Sequence, residues 1–210
     1  MIALLAGSFN PIHLGHLALA RYVVEQKIAE RVWFMVSPEN PLKKQESLLP
    51  WKQRIAMVRE AIEGMPEFEL CTIEKRLARP FYTINTIEAL HQEYPQHQFT
   101  ILCGSDIAQQ LPLWHESEKL QSMVQFLVYP RHDGVCSPQM KGAPMMEISS
   151  TEIRQSFEQG LQYYAQAAFG AAINCYNHCL ELSPWFTPAQ EMLKITNEIL
   201  SFRNFDYYNP

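Results

Sequence analysis

The stretch Gly7-Ser8-Phe9-Asn10-Pro11-Ile12-His13-Leu14-Gly15-His16 decides how the rest of the sequence is interpreted. It follows a short apolar run, residues 2–6, which predicts a buried strand, and it precedes residues 17–24, whose apolar positions recur at helical spacing. The backbone N–H groups at a helix N-terminus attract anions, and Gly7 and Gly15 allow a ligand to approach the backbone closely. The stretch therefore predicts an anion site, with phosphate as the leading candidate.

The two histidines of this stretch, His13 and His16, allow two other interpretations. Histidines that share a metal on a helix usually lie four positions apart, whereas these lie three apart, and no third ligand is evident in the sequence. The other interpretation is a pair of ordinary loop residues. The flanking glycines and the strand–loop–helix setting favour phosphate binding over both, and no protein metal site is predicted.

The composition is that of a globular protein with no general attraction to nucleic acid. The 210 residues suffice for one moderate domain with a small appendage, 47% of them are hydrophobic, and the net charge is −5. Since the chain has no overall basic character, any phosphate site must be local.

Cysteine usage and the N-terminus predict a soluble, cytoplasmic protein. The cysteines are odd in number, scattered and without a C-x-x-C pair, which argues against a disulfide framework or a zinc site and favours free thiols in a reducing compartment. The first apolar run is too short for a signal peptide, and no stretch approaches the ~20 apolar residues of a membrane span. The five cysteines are Cys71, Cys103, Cys136, Cys175 and Cys179.

The first stretch resembles the G-x-F-x-P-x-H-x-G-H signature of the nucleotidyltransferase superfamily, which includes the adenylyltransferases of cofactor synthesis. Strands that alternate with helices predict an α/β protein, and the resemblance implies a Rossmann-like parallel sheet with helices on both faces. It also implies that His13 and His16 are catalytic. The ATP-binding residues that it implies in this first motif are Gly7, Ser8, Phe9, His13, Gly15 and His16.

A second predicted strand, residues 31–36, runs into the loop Ser37-Pro38-Glu39-Asn40-Pro41-Leu42-Lys43-Lys44. Open α/β sheets bind ligands at the carboxyl ends of their strands, so the lysines are either phosphate ligands or solvated surface residues. The loop is similar to the S-P-x-N-P-x-K substrate loop of nicotinate-nucleotide adenylyltransferases. This likeness implies that Asn40 and Lys43 bind the acceptor nucleotide and that Lys43 is catalytic.

Two helices are predicted in the middle of the chain. Residues 50–62 form an amphipathic pattern with Pro50 in the first turn and basic residues on the solvated face. A short strand is predicted at residues 68–71. Thr83 or Asn85 is predicted to cap a second helix that continues to Tyr94. The surrounding Y-T-x-x-T pattern resembles nicotinate-nucleotide adenylyltransferases, in which it faces the nicotinate, and this implies that Thr83 binds the acceptor.

A further strand, residues 98–103, ends in Gly104-Ser105-Asp106. Asp106 is suited either to bind ribose hydroxyls or to cap a helix, and Trp114 is either a core residue or a stacking partner. The resemblance to the family's G-x-D…W arrangement implies nucleotide binding by Gly104 and Asp106, and it places Trp114 beside the nicotinate ring.

The last core strand is predicted at residues 125–131, and an exposed loop at 132–145 separates it from a second motif. Ser149 and Glu152 fit a capping box, which predicts a helix start whatever the function. The run Ile148–Arg154 resembles the I-S-S-T-x-I-R motif of the same superfamily, whose hydroxyls and arginine receive ATP phosphates. The residues implied are Ser149, Ser150, Thr151 and Arg154, the last of them catalytic.

The composition changes after residue 158, since residues 159–210 contain only 6 charged residues in 52. We therefore predict a nucleotidyltransferase domain at 1–158 and an all-helical extension at 159–210. Residues 160–184 resemble one tetratricopeptide unit with a turn near Gly170, followed by a helix from about Thr187. One such unit cannot bury its apolar face alone, so the extension packs on the first domain, a second copy or a protein partner. A plain helical appendage remains the alternative.

The resemblance covers about residues 1–157 and implies adenylyl transfer from ATP, carried with Mg²⁺, to nicotinate mononucleotide, which gives deamido-NAD and pyrophosphate in NAD biosynthesis. Family members usually continue after the arginine with a short basic stretch and a Tyr-x-x-Pro helix, which this sequence lacks. The alternatives are a related enzyme that uses nicotinamide mononucleotide or pantetheine phosphate, and a weakly catalytic scaffold that acts through its helical extension.

Overall fold

The computed structural model describes residues 1–39, 48–131, 135–145 and 147–208, with side chains as far as Phe202. These residues divide into two compact units. The first comprises the described residues within 1–9 and 16–145, and the second comprises residues 10–15 and 147–208. The predicted division at residue 158 falls within an uninterrupted helix, and the existence of two independent domains stays a prediction.

The first unit is built on five parallel strands in the order β3-β2-β1-β4-β5. The direction of strand succession reverses between β1 and β4, so the carboxyl ends of these two strands flank the point where open α/β sheets bind ligands. Gly7 ends β1 and Gly104 ends β4. The strands are β1 (Ile2–Gly7), β2 (Arg31–Val36), β3 (Phe68–Cys71), β4 (Phe99–Gly104) and β5 (Gln125–Tyr129).

Helices cover both faces of this sheet. On β2, Trp33 and Met35 belong to a core cluster that includes Ile87, whereas the intervening Phe34 faces the rings of Phe9 and Phe68. Because both faces are buried, the central strands are almost continuously apolar. The helices of this region are α1 (Leu14–Glu25), α2 (Trp51–Ala61), α3 (Thr83–Glu93), α4 (Ser105–Ala108) and α5 (Ser117–Met123).

The predicted Rossmann-like α/β fold is confirmed, and two local predictions are corrected. α3 begins at Thr83 itself, after Tyr82 in the N-cap position, and no side chain caps it. Thr83 and Asn85 are therefore not caps, because both already lie inside the first turn. Pro50 stands one position earlier than predicted, as the N-cap residue of α2.

The second unit contains three helices, α6 (Ser150–Ala165), α7 (Phe169–Leu182) and α8 (Thr187–Tyr208). Ser149 caps α6 as predicted, and its side chain accepts a hydrogen bond from the Glu152 N–H at 3.1 Å. The chain turns at residues 166–168, which places Gly170 inside α7 rather than in the turn. The likeness of α6 and α7 to a tetratricopeptide unit stays a prediction.

Close packing of α6 on α7 depends on Gly160. A Cβ atom at this position would come within 2.5 Å of the ring of Tyr176 and 3.1 Å of Cys175. Tyr176 is completely buried, so its ring has little freedom to move away.

No helix in the described parts of the chain is both long enough and apolar enough to cross a membrane.

Gly160→Ala should lower the free energy of unfolding. Overpacking costs about 1–3 kcal/mol, which exceeds the gain of up to about 1 kcal/mol that alanine brings to a helix interior. Gly170→Ala is the matched control in α7, since a Cβ there meets no described atom within 4 Å and stability should hold or rise. Urea denaturation of both variants measures the difference, and equal stabilities would contradict the packing argument.

Candidate functional site

The first motif leaves β1 through a strained backbone. Phe9 has a φ of 44°, a region that bulky residues rarely adopt, and its side chain is only 2% exposed. Its ring lies 5.0 Å from the ring of His16, edge to face. The atoms nearest to an added Cβ at Gly7 would be those of the Phe9 ring, at an ordinary 3.4 Å. Burial of Phe9 thus fixes the backbone conformation ahead of His16.

Arg54 holds this conformation in place, and the prediction that the basic residues of α2 are solvated is wrong for it. Arg54 is 1% exposed, and its Nη1 donates to the carbonyls of Ser8 at 2.5 Å and Ser37 at 2.8 Å. Its Nη2 and Nε donate to the carbonyls of Pro38 at 2.8 Å and Leu49 at 3.0 Å. Burial lowers the pKa of the guanidinium. One buried cation therefore joins the segments that follow β1 and β2.

Arg54 also holds the start of the loop that follows β2, through its bonds to Ser37 and Pro38. The Ser37 N–H donates to the Gly7 carbonyl at 3.0 Å, which extends the pairing of β1 and β2. Glu39 pairs with Arg79 at 2.5 Å. The predicted acceptor residues Asn40 and Lys43 lie outside the described residues.

A buried carboxylate links this loop to α3. Glu74 is 3% exposed, and its Oε1 accepts a hydrogen bond from the Thr86 hydroxyl at 3.1 Å. Burial raises the pKa of Glu74, and hydrogen bonds from Ser37 and Thr86 partly oppose that shift. Thr86, the second threonine of the Y-T-x-x-T pattern, thus points into the protein interior, while Thr83 is half-buried at the start of the helix.

Aromatic rings gather near this helix start. The His115 ring stacks on Tyr82 with centroids 4.1 Å apart and planes at 20°. Trp114 is half-buried against the sheet core, with its ring edge-on to Phe126 at 6.3 Å. Its buried Nε1 has no hydrogen-bond partner among the described residues. The structure therefore makes Trp114 part of the core boundary, and its contact with a nicotinate ring stays a prediction.

The end of β4 brings together Gly104, Asp106 and Arg131. A Cβ at Gly104 would collide with the Asp106 carboxylate and lie 3.1 Å from Arg131. Arg131 Nε lies 3.8 Å from the Asp106 carboxylate, and its guanidinium covers the Tyr129 ring at 5.5 Å. Asp106 is inside α4, after Gly104 in the N-cap position, so the capping interpretation is wrong. Its carboxylate remains 56% exposed and available to a ligand.

The second motif donates hydrogen bonds to the backbone of residues 10 and 11 of the first motif, and these two residues belong, like the second motif, to the second unit. Ser150 Oγ donates to the Pro11 carbonyl at 2.9 Å. Arg154 Nη1 donates to the Asn10 carbonyl at 2.7 Å and to the Ser150 carbonyl at 3.0 Å. Arg154 Nη2 donates to Thr151 Oγ1 at 3.2 Å.

Arg154 can support the loop and still bind an anion. Its five N–H donors make three hydrogen bonds with described residues, which leaves two donors for a phosphate. Burial lowers the pKa of Arg154, and Glu158 opposes this shift, but an arginine keeps its charge at neutral pH. His13 is 7% exposed and lies two positions after Pro11.

Over residues 1–39, 48–131, 135–145 and 147–208, no three His, Cys, Asp or Glu side chains cluster as metal ligands would.

Three functional candidates were missed by sequence reasoning. Arg54 resembled a solvated helix residue, Arg131 resembled the stop of a strand, and the second motif's hold on the carbonyls of the first has no sequence signal. Only Arg131 had a usable signal, because it follows a strand at the sheet edge where ligands bind.

The sequence matches the cytidylyltransferase-like family over residues 4–156. It is 44% identical over 172 residues to the "probable nicotinate-nucleotide adenylyltransferase" of Bacteroides fragilis, covering 78% of this chain and 86% of that protein. The protein of the same name from Porphyromonas gingivalis is 38% identical over 174 residues, covering 78% of this chain and 88% of that protein.

Solved structures share the fold at low sequence identity. The nicotinic acid mononucleotide adenylyltransferase of Plasmodium falciparum, complexed with NaAD, superposes with a TM-score of 0.60 at 20% identity. The alignment covers 74% of this chain and 83% of that one.

Arg54→Met should lower the free energy of unfolding by about 3 kcal/mol or more, because four partly buried carbonyls lose their charged donor at once. Arg59→Met is the matched control: Arg59 is an exposed basic residue of the same helix, and its loss should change stability by less than about 0.5 kcal/mol. Thermal and urea unfolding measure both. Similar values for the two variants would contradict the role assigned to Arg54.

Glu74→Gln should become more stable relative to the wild type as the pH rises above 4.5, the ordinary pKa of glutamate. The folded pKa of Glu74 is raised, so its contribution is complete below the unfolded pKa and is lost as the pH rises through the folded pKa. Glutamine has no such loss.

Glu93→Gln is the control of opposite sign. A hydrogen bond from Arg76 holds the pKa of Glu93 below its ordinary value, so this variant should lose stability relative to the wild type as the pH rises. Urea denaturation across the range measures both trends, and parallel curves for the two variants would refute the assignment.

Proposed function

The chain belongs to the cytidylyltransferase-like family and, within it, to the nicotinate-nucleotide adenylyltransferases, and from this premise we propose how its residues serve the reaction. The enzyme transfers an adenylyl group from ATP to nicotinate mononucleotide, which gives deamido-NAD and pyrophosphate in NAD biosynthesis. The proposed residue roles rest mainly on the hydrogen bonds that Arg154 and Ser150 donate to the carbonyls of Asn10 and Pro11. These bonds unite the two motifs that the family uses for ATP.

The chemical step needs no nucleophile from the protein. A phosphate oxygen of nicotinate mononucleotide attacks the α-phosphorus of ATP, a P–O bond forms, and the bond to the β-phosphate breaks. Pyrophosphate leaves with the bonding electron pair. The protein contributes positioning and neutralisation of the negative charge that develops between the two phosphates.

Four residues carry that neutralisation in the proposal. His13 and His16 contact the α-phosphate region, since the first motif presents them at the start of α1. Arg154 uses its remaining donors for the outer phosphates of ATP. Lys43, from the loop after β2, binds the acceptor phosphate.

The remaining assignments divide between the two substrates. Asp106 suits ribose hydroxyls because its carboxylate is exposed beside the end of β4. ATP is further bound by Gly7, Ser8, Phe9, Gly15, Gly104, Ser149, Ser150 and Thr151, and the acceptor by Asn40, Thr83, Asp106 and Trp114.

Mg²⁺ fits this site as a companion of ATP rather than as a resident metal. It prefers oxygen ligands and retains water, and Asp106, the carboxylate among the proposed site residues, lies beside the Arg131 cation. Phosphate oxygens and water are therefore the proposed ligands. Bound there, Mg²⁺ would neutralise phosphate charge.

Two further predictions from the sequence are kept as part of this proposal. One is a cytoplasmic location, which fits the free cysteines. The other is that residues 159–210 contact a second copy of the chain or a protein partner.

His16→Ala should reduce turnover about 100-fold or more, because it removes a preorganised donor to the reacting phosphate. Pyrophosphate release with ATP and nicotinate mononucleotide measures the loss, and circular dichroism checks that the fold is intact. His97→Ala is the control, since His97 lies just before β4, at the opposite end of the sheet from the strand carboxyl ends, and its loss should leave turnover unchanged.

The same assay with nicotinamide mononucleotide and pantetheine phosphate tests the acceptor. Nicotinate mononucleotide should give the highest kcat/KM. Near-normal turnover by His16→Ala would overturn the proposed role of that residue, and preference for another acceptor would overturn the substrate.

A further inference from the structure

Three consecutive carbonyls of the first motif are each held by a side chain of the second unit. Asn10 accepts from Arg154 at 2.7 Å and Pro11 accepts from Ser150 at 2.9 Å. Ile12 accepts from Ser183 Oγ at 2.6 Å. The first two donors belong to the second motif, whereas Ser183 belongs to the helical extension, where the resemblance to the family gives no role to any residue.

Burial and a backbone hydrogen bond fix the position of Ser183. It is completely buried, it ends α7 as the C-cap residue, and its N–H donates to the Cys179 carbonyl at 2.9 Å. Cys179 is also completely buried, and its Sγ donates to the Ile153 carbonyl of α6 at 3.3 Å. The bond from Cys179 to Ile153 joins α7, which ends in Ser183, to α6, which carries the second motif. Ser183 and the second motif are therefore held in fixed relative positions.

The third bond acts nearest to the proposed chemistry. Ile12 is fully buried and immediately precedes His13. Without the bond from Ser183, the Ile12 carbonyl, which belongs to the peptide that leads into His13, would be buried with no hydrogen-bond partner. The bonds at Asn10 and Pro11 would not replace it. Small displacements of a catalytic group cost large factors in rate.

We propose that the helical extension is part of the catalytic apparatus, and that Ser183 is a positioning residue that fixes the backbone entering His13. The inference rests on the proposed function of His13. It gives the extension a task within its own chain that requires neither a partner nor a second copy.

Ser183→Ala tests the proposal in the full-length protein. We expect kcat for pyrophosphate release to fall about tenfold while KM for ATP and nicotinate mononucleotide changes little, because the lost interaction serves the transition state. Amide hydrogen exchange of residues 12–16 should become about tenfold faster, because the loop opens more readily without its third anchor.

Ser156→Ala is the matched control. Ser156 Oγ also donates to a backbone carbonyl across the α6–α7 pair, that of Cys175 at 3.2 Å, and it hydrogen-bonds the Cys179 side chain. The variant therefore perturbs the same helix pair without removing the bond to Ile12. This variant should keep wild-type kcat and loop exchange even if its thermal stability falls.

The outcomes distinguish failure of the role assigned to Ser183 from failure of the proposed function. A kcat and a loop exchange rate for Ser183→Ala within twofold of those for Ser156→Ala would overturn the inference. Absence of pyrophosphate release by the wild type with nicotinate mononucleotide would overturn the proposed function instead. In that case the exchange rates alone decide whether Ser183 anchors the loop.

Discussion

The first unit depends on one buried cation that has backbone carbonyls as its partners. Arg54 reaches the carbonyls of Ser8, Ser37, Pro38 and Leu49, so segments that are distant in sequence share one planar donor. A guanidinium suits this task because its five N–H groups spread in a fixed plane. The cost of burying its charge is offset only while all the carbonyls stay in place. The paths taken by the chain after β1 and β2 are therefore set together.

In the second unit, the backbone carbonyls of an irregular segment are bound by three separate side chains instead of one. Residues 10–12 pass through it without regular secondary structure, and their carbonyls need partners once they are buried. Arg154, Ser150 and Ser183 supply those partners from the start of α6 and the end of α7. α6 begins within the second motif, at Ser150, and continues without interruption into the extension. We therefore expect a change in the packing of the extension to reach the loop.

Features encoded by neighbouring residues were predictable from the sequence. The strands Arg31–Val36 and Phe68–Cys71 match their predicted bounds, and Ser149 caps α6, because apolar runs and capping residues act over a few positions. Arg54 was misassigned because a charged residue on an amphipathic helix normally faces solvent. The bond from Ser183 to Ile12 spans 171 positions. Its acceptor is a main-chain atom present at every residue, so no side-chain pattern announces it.

This use of the main chain has an evolutionary consequence. A carbonyl survives every substitution at positions 10, 11 and 12, so drift in the side chains of the loop does not remove an acceptor. Selection can therefore change those side chains to suit the chemistry. The residues that must stay unchanged are the three donors, Ser150, Arg154 and Ser183, which lie far away in the sequence. The extension is then expected to change slowly at position 183 and freely on its outer surface.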